Sequence, residues 1–239
     1  LPGGTLLSAG ADGTLRRWDP RAAAEATLLR EVPVPGREIR RVAIGPPPSG
    51  AADGHTILAV DSTDATWQVN LADGGVMPLT IAARAVLMLD YDRHRHRMAI
   101  AYVQPRPVAV TPFAAGLPDA DHAFDVSPEP GVGNVAMCWS RSGDLVVATK
   151  SGQLVAYPPG GDRATNRTAL ADPVHALAAA PAGPVRVAAA GRRTAIIPLD
   201  ASRPAAPVDL VIGEDSWSVA WSPDESLVAV GTRTGRVLL

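Results

Sequence analysis

Residues 6–19 read Leu-Leu-Ser-Ala-Gly-Ala-Asp-Gly-Thr-Leu-Arg-Arg-Trp-Asp. Two short apolar runs flank Asp12-Gly13, a pair suited to a tight hairpin because glycine accepts the left-handed backbone such turns need. The second run ends on Trp18-Asp19. Two later stretches extend the plan. Residues 134–157 carry an apolar run to Trp139, a Ser-Arg-Ser-Gly turn, a run from Leu145, a hairpin at Gly152 and a third run to Tyr157. Residues 216–239 carry a run to Trp221, a Ser-Pro-Asp-Glu turn, a run from Leu227, a hairpin at Gly235 and a third run. Each copy is three strands, called a, b and c, with room for a variable fourth strand d.

Strand c is expected to end at Trp18, Val69, Val110, Tyr157 and Leu199, at steps of roughly 41 to 51 residues. Strand a is expected at Ile39–Ile44, Ala85–Tyr91, Asn134–Trp139, Val174–Ala179 and Ser216–Trp221. Asn70 and Asp200 echo Asp19. The longest step holds a Pro/Gly-rich insertion, Gly45–Gly54, which belongs on a surface loop.

Residues 5–19, 134–157 and 216–239 resemble the WD40 repeat family, whose repeat takes about 40–45 residues. The match is looser over 174–200 and weak over 37–113. The resemblance implies an all-β chain, one β-propeller domain over 1–239 with four-stranded antiparallel blades. About six blades are visible, in pieces near 1–36, 37–82, 83–130, 131–171, 172–212 and 213–239. Reading b, c and d first, then four full blades, then a, b and c gives 22 strands. That leaves a ring short at its closure, where unpaired strand edges are a liability. Sequence beyond both ends, within a seven-bladed ring, is the expectation. The resemblance also implies a structural hydrogen-bond set of His, Ser or Thr, Asp and Trp; Ser8, Asp12 and Trp18 fit three of its places. Trp139 and Trp221 are expected in the core between blades.

Bulk properties narrow the function. The chain is 46% hydrophobic and 19% charged, enough to build a core. Its apolar share is mostly Ala and Val, broken by 22 Gly and 23 Pro, which speaks against long helices. A formal charge of −2 gives no global pull towards nucleic acid or an anionic membrane. Cys138 is the sole cysteine, so no intrachain disulfide forms, in keeping with a cytoplasmic setting. No apolar run is long enough to span a membrane as a helix, and no signal peptide is visible.

Candidate chemistry is sparse. His94 and His96 stand two apart in an a–b turn and could chelate a metal, but the interleaved arginines repel a cation; a solvated turn is expected. Neither a Gly-x-Ser-x-Gly elbow nor a P-loop occurs, and Ser8, Ser140 and Ser222 occupy repeat positions. No catalytic residue, metal or cofactor is therefore assigned. A propeller enzyme of lactonase or hydrolase type, with a channel site, is the alternative.

Recognition residues stand out more. The residue just before the hairpin position of Asp12 and its equivalents is Ala11, Lys150, Arg192 or Arg233, in a turn that in WD40 propellers opens on the face that usually meets partners. Three consecutive blades thus offer a cation, suited to an acidic protein or peptide. Trp217 and His175 open strand a of their blades and join the candidate surface; Trp67 is either inter-blade packing or a hot spot. Pro46-Pro-Pro48, Pro158-Pro159 and Pro204 to Pro207 are expected to stiffen loops. By family resemblance alone, the Ala/Arg/Pro-rich composition suggests a bacterial propeller fused to a signalling NTPase, kinase or protease, serving as its scaffold, sensor or lid.

Overall fold

The computed structural model describes residues 5–21, 27–35, 38–46, 56–79, 85–103, 107–114, 116–170, 172–182, 186–199, 206–210 and 212–239. Most of the 45–54 insertion, Pro204 and Asp200 lie outside the described residues. The chain divides into two compact units, residues 1–98 with 111–122 and residues 99–110 with 123–239.

Six antiparallel sheets follow one another among the described residues. The first is β1 (Leu6–Ala9), β2 (Thr14–Asp19) and β3 (Thr27–Pro33). The second is β4 (Ile39–Ile44), β5 (Thr56–Asp61), β6 (Thr66–Asn70) and β7 (Val76–Leu79). The third is β8 (Val86–Asp92), β9 (Arg97–Tyr102), β10 (Val108–Ala114), β11 (Leu117–Pro118) and β12 (Phe124–Val126). The fourth is β13 (Asn134–Trp139), β14 (Leu145–Thr149), β15 (Gln153–Tyr157) and β16 (Asn166–Ala169). The fifth is β17 (Val174–Ala179), β18 (Arg186–Gly191), β19 (Thr194–Pro198) and β20 (Val208–Leu210). The sixth is β21 (Ser216–Trp221), β22 (Val228–Thr232) and β23 (Val237–Leu238). The tally exceeds expectation by one strand because d of the third sheet comes in two pieces. β11 pairs with the end of β10, and β12 returns to pair with its beginning.

Strand b carries the core. β5, β9 and β14 are buried at every residue, and β18 at all but its first. Both faces of these strands are covered, so they read as continuous apolar runs rather than alternating ones. In the first unit, Leu15, Val32, Ile39, Ile57 and Val69 form one cluster across the first two sheets, with Trp67 packed against it. In the second unit, β13, β17 and β21 lie side by side.

The b–c hairpins turn through left-handed residues: Gly13 (φ 76°), Gly152 (φ 83°) and Gly235 (φ 82°), with Asp64 (φ 66°) in the second sheet. Asp64 stands there because its carboxylate accepts hydrogen bonds from the backbone of Ala85 and Val86, fastening the start of β8. A Cβ on Gly152 would meet the Leu170 carbonyl oxygen at 2.7 Å, whereas one on Gly235 would meet nothing within 4 Å. Gly235→Ala should cost about 1–2 kcal/mol for the backbone alone. Gly152→Ala adds the clash and should cost about 2–4 kcal/mol. Urea denaturation of the two variants checks the difference; equal losses would remove the clash from the account.

Candidate functional site

A shared irregularity builds the site. In four sheets strand a slips register at its second residue, between Ile39 and Arg41, Asn134 and Ala136, Val174 and Ala176, and Ser216 and Ser218. Each slip is a β-bulge, which leaves one residue out of the ladder and re-aims its side chain. The bulged residues are Arg40, Val135, His175 and Trp217. Two of them meet: the rings of His175 and Trp217 stack with centroids 4.7 Å apart and planes 7° from parallel. His175 is exposed, and Trp217 is 56% exposed. An aromatic pair that excludes so little water does little for a core.

The three cations stand at one ladder position. Lys150 follows Thr149, the partner of Asn134; Arg192 follows Gly191, the partner of Val174; Arg233 follows Thr232, the partner of Ser216. All three are exposed. Two of them bond through the backbone: Lys150 N–H donates to Gly133 and Arg233 N–H to Asp215, as Ser62 N–H does to Glu38. Their side chains form no ion pair among the described residues. The b–c turns therefore sit at the end of the sheets where strand a begins, beside His175 and Trp217.

Carboxylates hold this end together. Glu129 accepts from Thr149 Oγ1 at 3.2 Å and from Ser151, and Glu214 accepts from Thr234 and from Arg236 at 3.2 Å. At the b–c turn of the fifth sheet, Ser216 of β21 in the next sheet takes the carboxylate's place, accepting from Gly191 N–H at 2.9 Å and contacting Thr194 Oγ1 at 2.6 Å. The sequence reading missed this network. Its only signal is a hydroxyl at the last b residue or two residues on, with an acid shortly before strand a.

Solved structures fix what this architecture is. The chain is similar to the β-propeller domain of Cps50 (Swd1) from Myceliophteria thermophila, with a TM-score of 0.73 and 18% identity, over 99% of this chain and 82% of that one. It is also similar to the WD40 repeats of RRP9, with a TM-score of 0.72 and 14% identity, over 98% of this chain and 72% of that one. The fold is that of a WD40 β-propeller. No family model and no curated protein matches the chain. At such identities the likeness carries the fold alone, and function rests on the site.

As blades of this propeller, the six sheets account for the remaining sequence candidates. Trp18 Nε1 donates to Ser8 Oγ at 2.8 Å, as the resemblance implies. Asp12 stands apart from that bond: it accepts from Thr14 N–H and hydroxyl and from Arg16 at 2.6 Å. Asp19 and Asn70 do the same work, each closing a turn by accepting a backbone N–H two residues on at 2.9 Å. Trp67 donates to buried Asp61 at 3.0 Å, which gives it a structural role. Burial pushes the Asp61 carboxyl up, but hydrogen bonds from Thr63, Trp67 and Ala65 together bring it below its ordinary value. Trp139 and Trp221 are half-buried rather than core. Trp221 Nε1 donates to Ala178 of the preceding blade at 3.0 Å, and the Arg186 guanidinium lies over its ring at 5.4 Å.

His94 and His96 do form an exposed a–b turn, and no group of three metal-ligating side chains occurs among the described residues. The base of that turn departs from the expected solvated character. Asp92 and Arg97 are buried and paired at 2.6 Å. Tyr91 Oη contacts His96 Nδ1 at 3.0 Å, and burial, then the Asp92 charge, pushes the phenol up. Ser140 and Ser222 are turn residues bonded to Asp144 and Asp224.

Asp12 and Asp224 predict an acid response. Hydrogen bonds from Arg16 and Thr14 lower Asp12 from 3.8 to about 2. Those from Ser222 and Ser226 do the same for Asp224. A carboxyl lowered on folding stabilises above its unfolded value and loses that contribution as pH falls through the folded one. These turns should hold to pH 4 and loosen towards pH about 2. Carboxyl chemical shifts followed by NMR titration check this; midpoints near 3.8 would remove the turn bonds.

Proposed function

We propose that this propeller is a non-catalytic interaction module, and that the strand-a end of blades four to six is its partner-binding face. The observation that carries the reading is the exposed His175–Trp217 stack, presented by two bulges beside Lys150, Arg192 and Arg233. Flat aromatic surface supplies contact area at low entropic cost, and three exposed cations that form no ion pair among the described residues select for carboxylates. The partner is an acidic segment of a protein. Among the described residues, the carboxyl and phenol groups whose ionisation is displaced are accounted for by turn bonds or burial. Strand bulges and hairpins fix these side chains on rigid elements, as recognition requires. The bacterial signalling context, with a catalytic domain fused to the propeller in a cytoplasmic protein, belongs to the same proposal.

An array of acidic and neutral peptides probed with the chain, followed by fluorescence anisotropy on the binders, tests it. The variant Lys150→Glu, Arg192→Glu, Arg233→Glu should weaken acidic peptides by about a hundredfold or more and reverse their salt dependence, since added salt then screens a repulsion. Affinity equal to that of the wild-type chain would sink the cationic face.

A further inference from the structure

A cavity opens on the same end of the second unit, between the end of blade four and the b–c turn of blade five. Its volume is about 290 Å³, and Leu170, Val174, Ala189 and Ala195 line it together with Asp172, Arg193 and Asp209. Its depth comes from two alanines. Counting rungs from the bulge, the second b-strand residue is Ala59, Val147 or Ala189 in blades two, four and five. Across the b–c ladder these residues face Trp67, Val155 and Ala195. Blade two fills the rung with an indole and blade four with two valines. Blade five leaves it empty.

The cavity adjoins the proposed face directly. Val174 precedes His175 and Arg193 follows Arg192 in the chain. Arg193 is tied to Asp209, so the cation left for a ligand is Arg192. Ligand pockets for small molecules and cofactors run from about 300 Å³ upwards. This one lies at that floor, with room for an aliphatic side chain and water beside it; its lining is mixed, and its apolar part is the rung that Ala189 and Ala195 leave unfilled.

We infer that the blade-five cavity seats one aliphatic side chain of the acidic partner segment, so that the recognised motif is a leucine-like residue next to carboxylates. The inference rests on the reading of this end as the partner-binding face, and it adds the anchor that charge alone lacks. Acidic stretches are common, and a cationic rim would hold any of them weakly. An apolar anchor in a pocket supplies the discrimination.

The test uses two labelled peptides, one of Glu, Gly and Ser with a single central Leu, the other with Ser in its place. Anisotropy is read with the wild-type chain, with Ala195→Leu and with Arg192→Glu. The expected result is about tenfold tighter binding of the Leu peptide to the wild-type chain. Ala195→Leu should bring the two peptides level, and Arg192→Glu should weaken both. Thermal unfolding of Ala195→Leu accompanies the measurement, and the peptide pair on the wild-type chain decides the matter if that variant does not fold. Equal binding of both peptides to the wild-type chain, still lowered by Arg192→Glu, overturns the anchor and leaves the face standing. Binding of neither peptide overturns both.

Discussion

Arg97→Met is expected to cost about 3–5 kcal/mol of stability. The Asp92 side chain is 1% exposed and that of Arg97 8%. They bracket the turn formed by residues 93–96, at the ends of β8 and β9. One Asp92 oxygen accepts from Arg97 and the other from the backbone of His94 and Arg95, at 3.0 and 3.2 Å. The carboxylate is thus held in place by its own turn and cannot swing to water when the guanidinium is removed. A stranded buried charge is the costly outcome; an ion pair exchanged whole for neutral groups is not. Asp92→Asn combined with Arg97→Met should therefore recover most of the loss, since the amide still accepts from the turn. Chemical denaturation followed by tryptophan fluorescence checks both variants. An Arg97→Met chain within about 1 kcal/mol of the wild type would mean that the carboxylate finds other compensation.

The same turn shows where the sequence can be read and where it cannot. Strand a of four blades lies at Ile39–Ile44, Asn134–Trp139, Val174–Ala179 and Ser216–Trp221, as the pattern of an apolar run ending at a polar turn predicts. That pattern is local, so it survives in the linear sequence. In blade three β8 starts one residue later than expected, at Val86, because Asp64 fastens its first amides from the preceding blade. Such a bond has no local signature. Within Asp90–Arg97 every residue but Tyr91 is charged or histidine, so the run reads as solvated throughout; only the fold reveals that Tyr91, Asp92 and Arg97 are buried and residues 93–96 exposed. The split strand d of blade three was hidden too, since Leu117 and Pro118 carry no strand signal of their own.

The binding face was half legible. Lys150, Arg192 and Arg233 can be aligned from the hairpins, and the ladder puts them at one position. Trp217 and His175 could be named as residues that open strand a, but nothing in the sequence says that they touch. The bulge that brings them together falls on Arg40, Val135, His175 and Trp217, four residues with no shared chemistry. It is a property of the repeat's backbone, so composition cannot report it. The cavity was not legible at all. Ala189 and Ala195 look like ordinary residues of an alanine-rich strand until the equivalent rung in blades two and four is seen to be filled.

Trp217→Ala should raise the dissociation constant for an acidic peptide by about 30-fold, the scale of an interfacial hot spot. Its stability should stay within about 1 kcal/mol of the wild type, because an indole this exposed contributes little to the core. That separation between binding and stability distinguishes a recognition residue from a packing one. Trp221→Ala supplies the contrast: its ring is half-buried, bonded to Ala178 and covered by Arg186, so its loss should appear in the unfolding transition. His175→Ala removes the support beneath Trp217 without removing the indole, and should weaken the same peptide by about tenfold or less. His175→Phe keeps a flat ring in the stack and should restore most of the affinity. If Trp217→Ala leaves peptide binding unchanged while lowering the unfolding midpoint, the stack is structural. Recognition would then fall to the cations and the cavity alone.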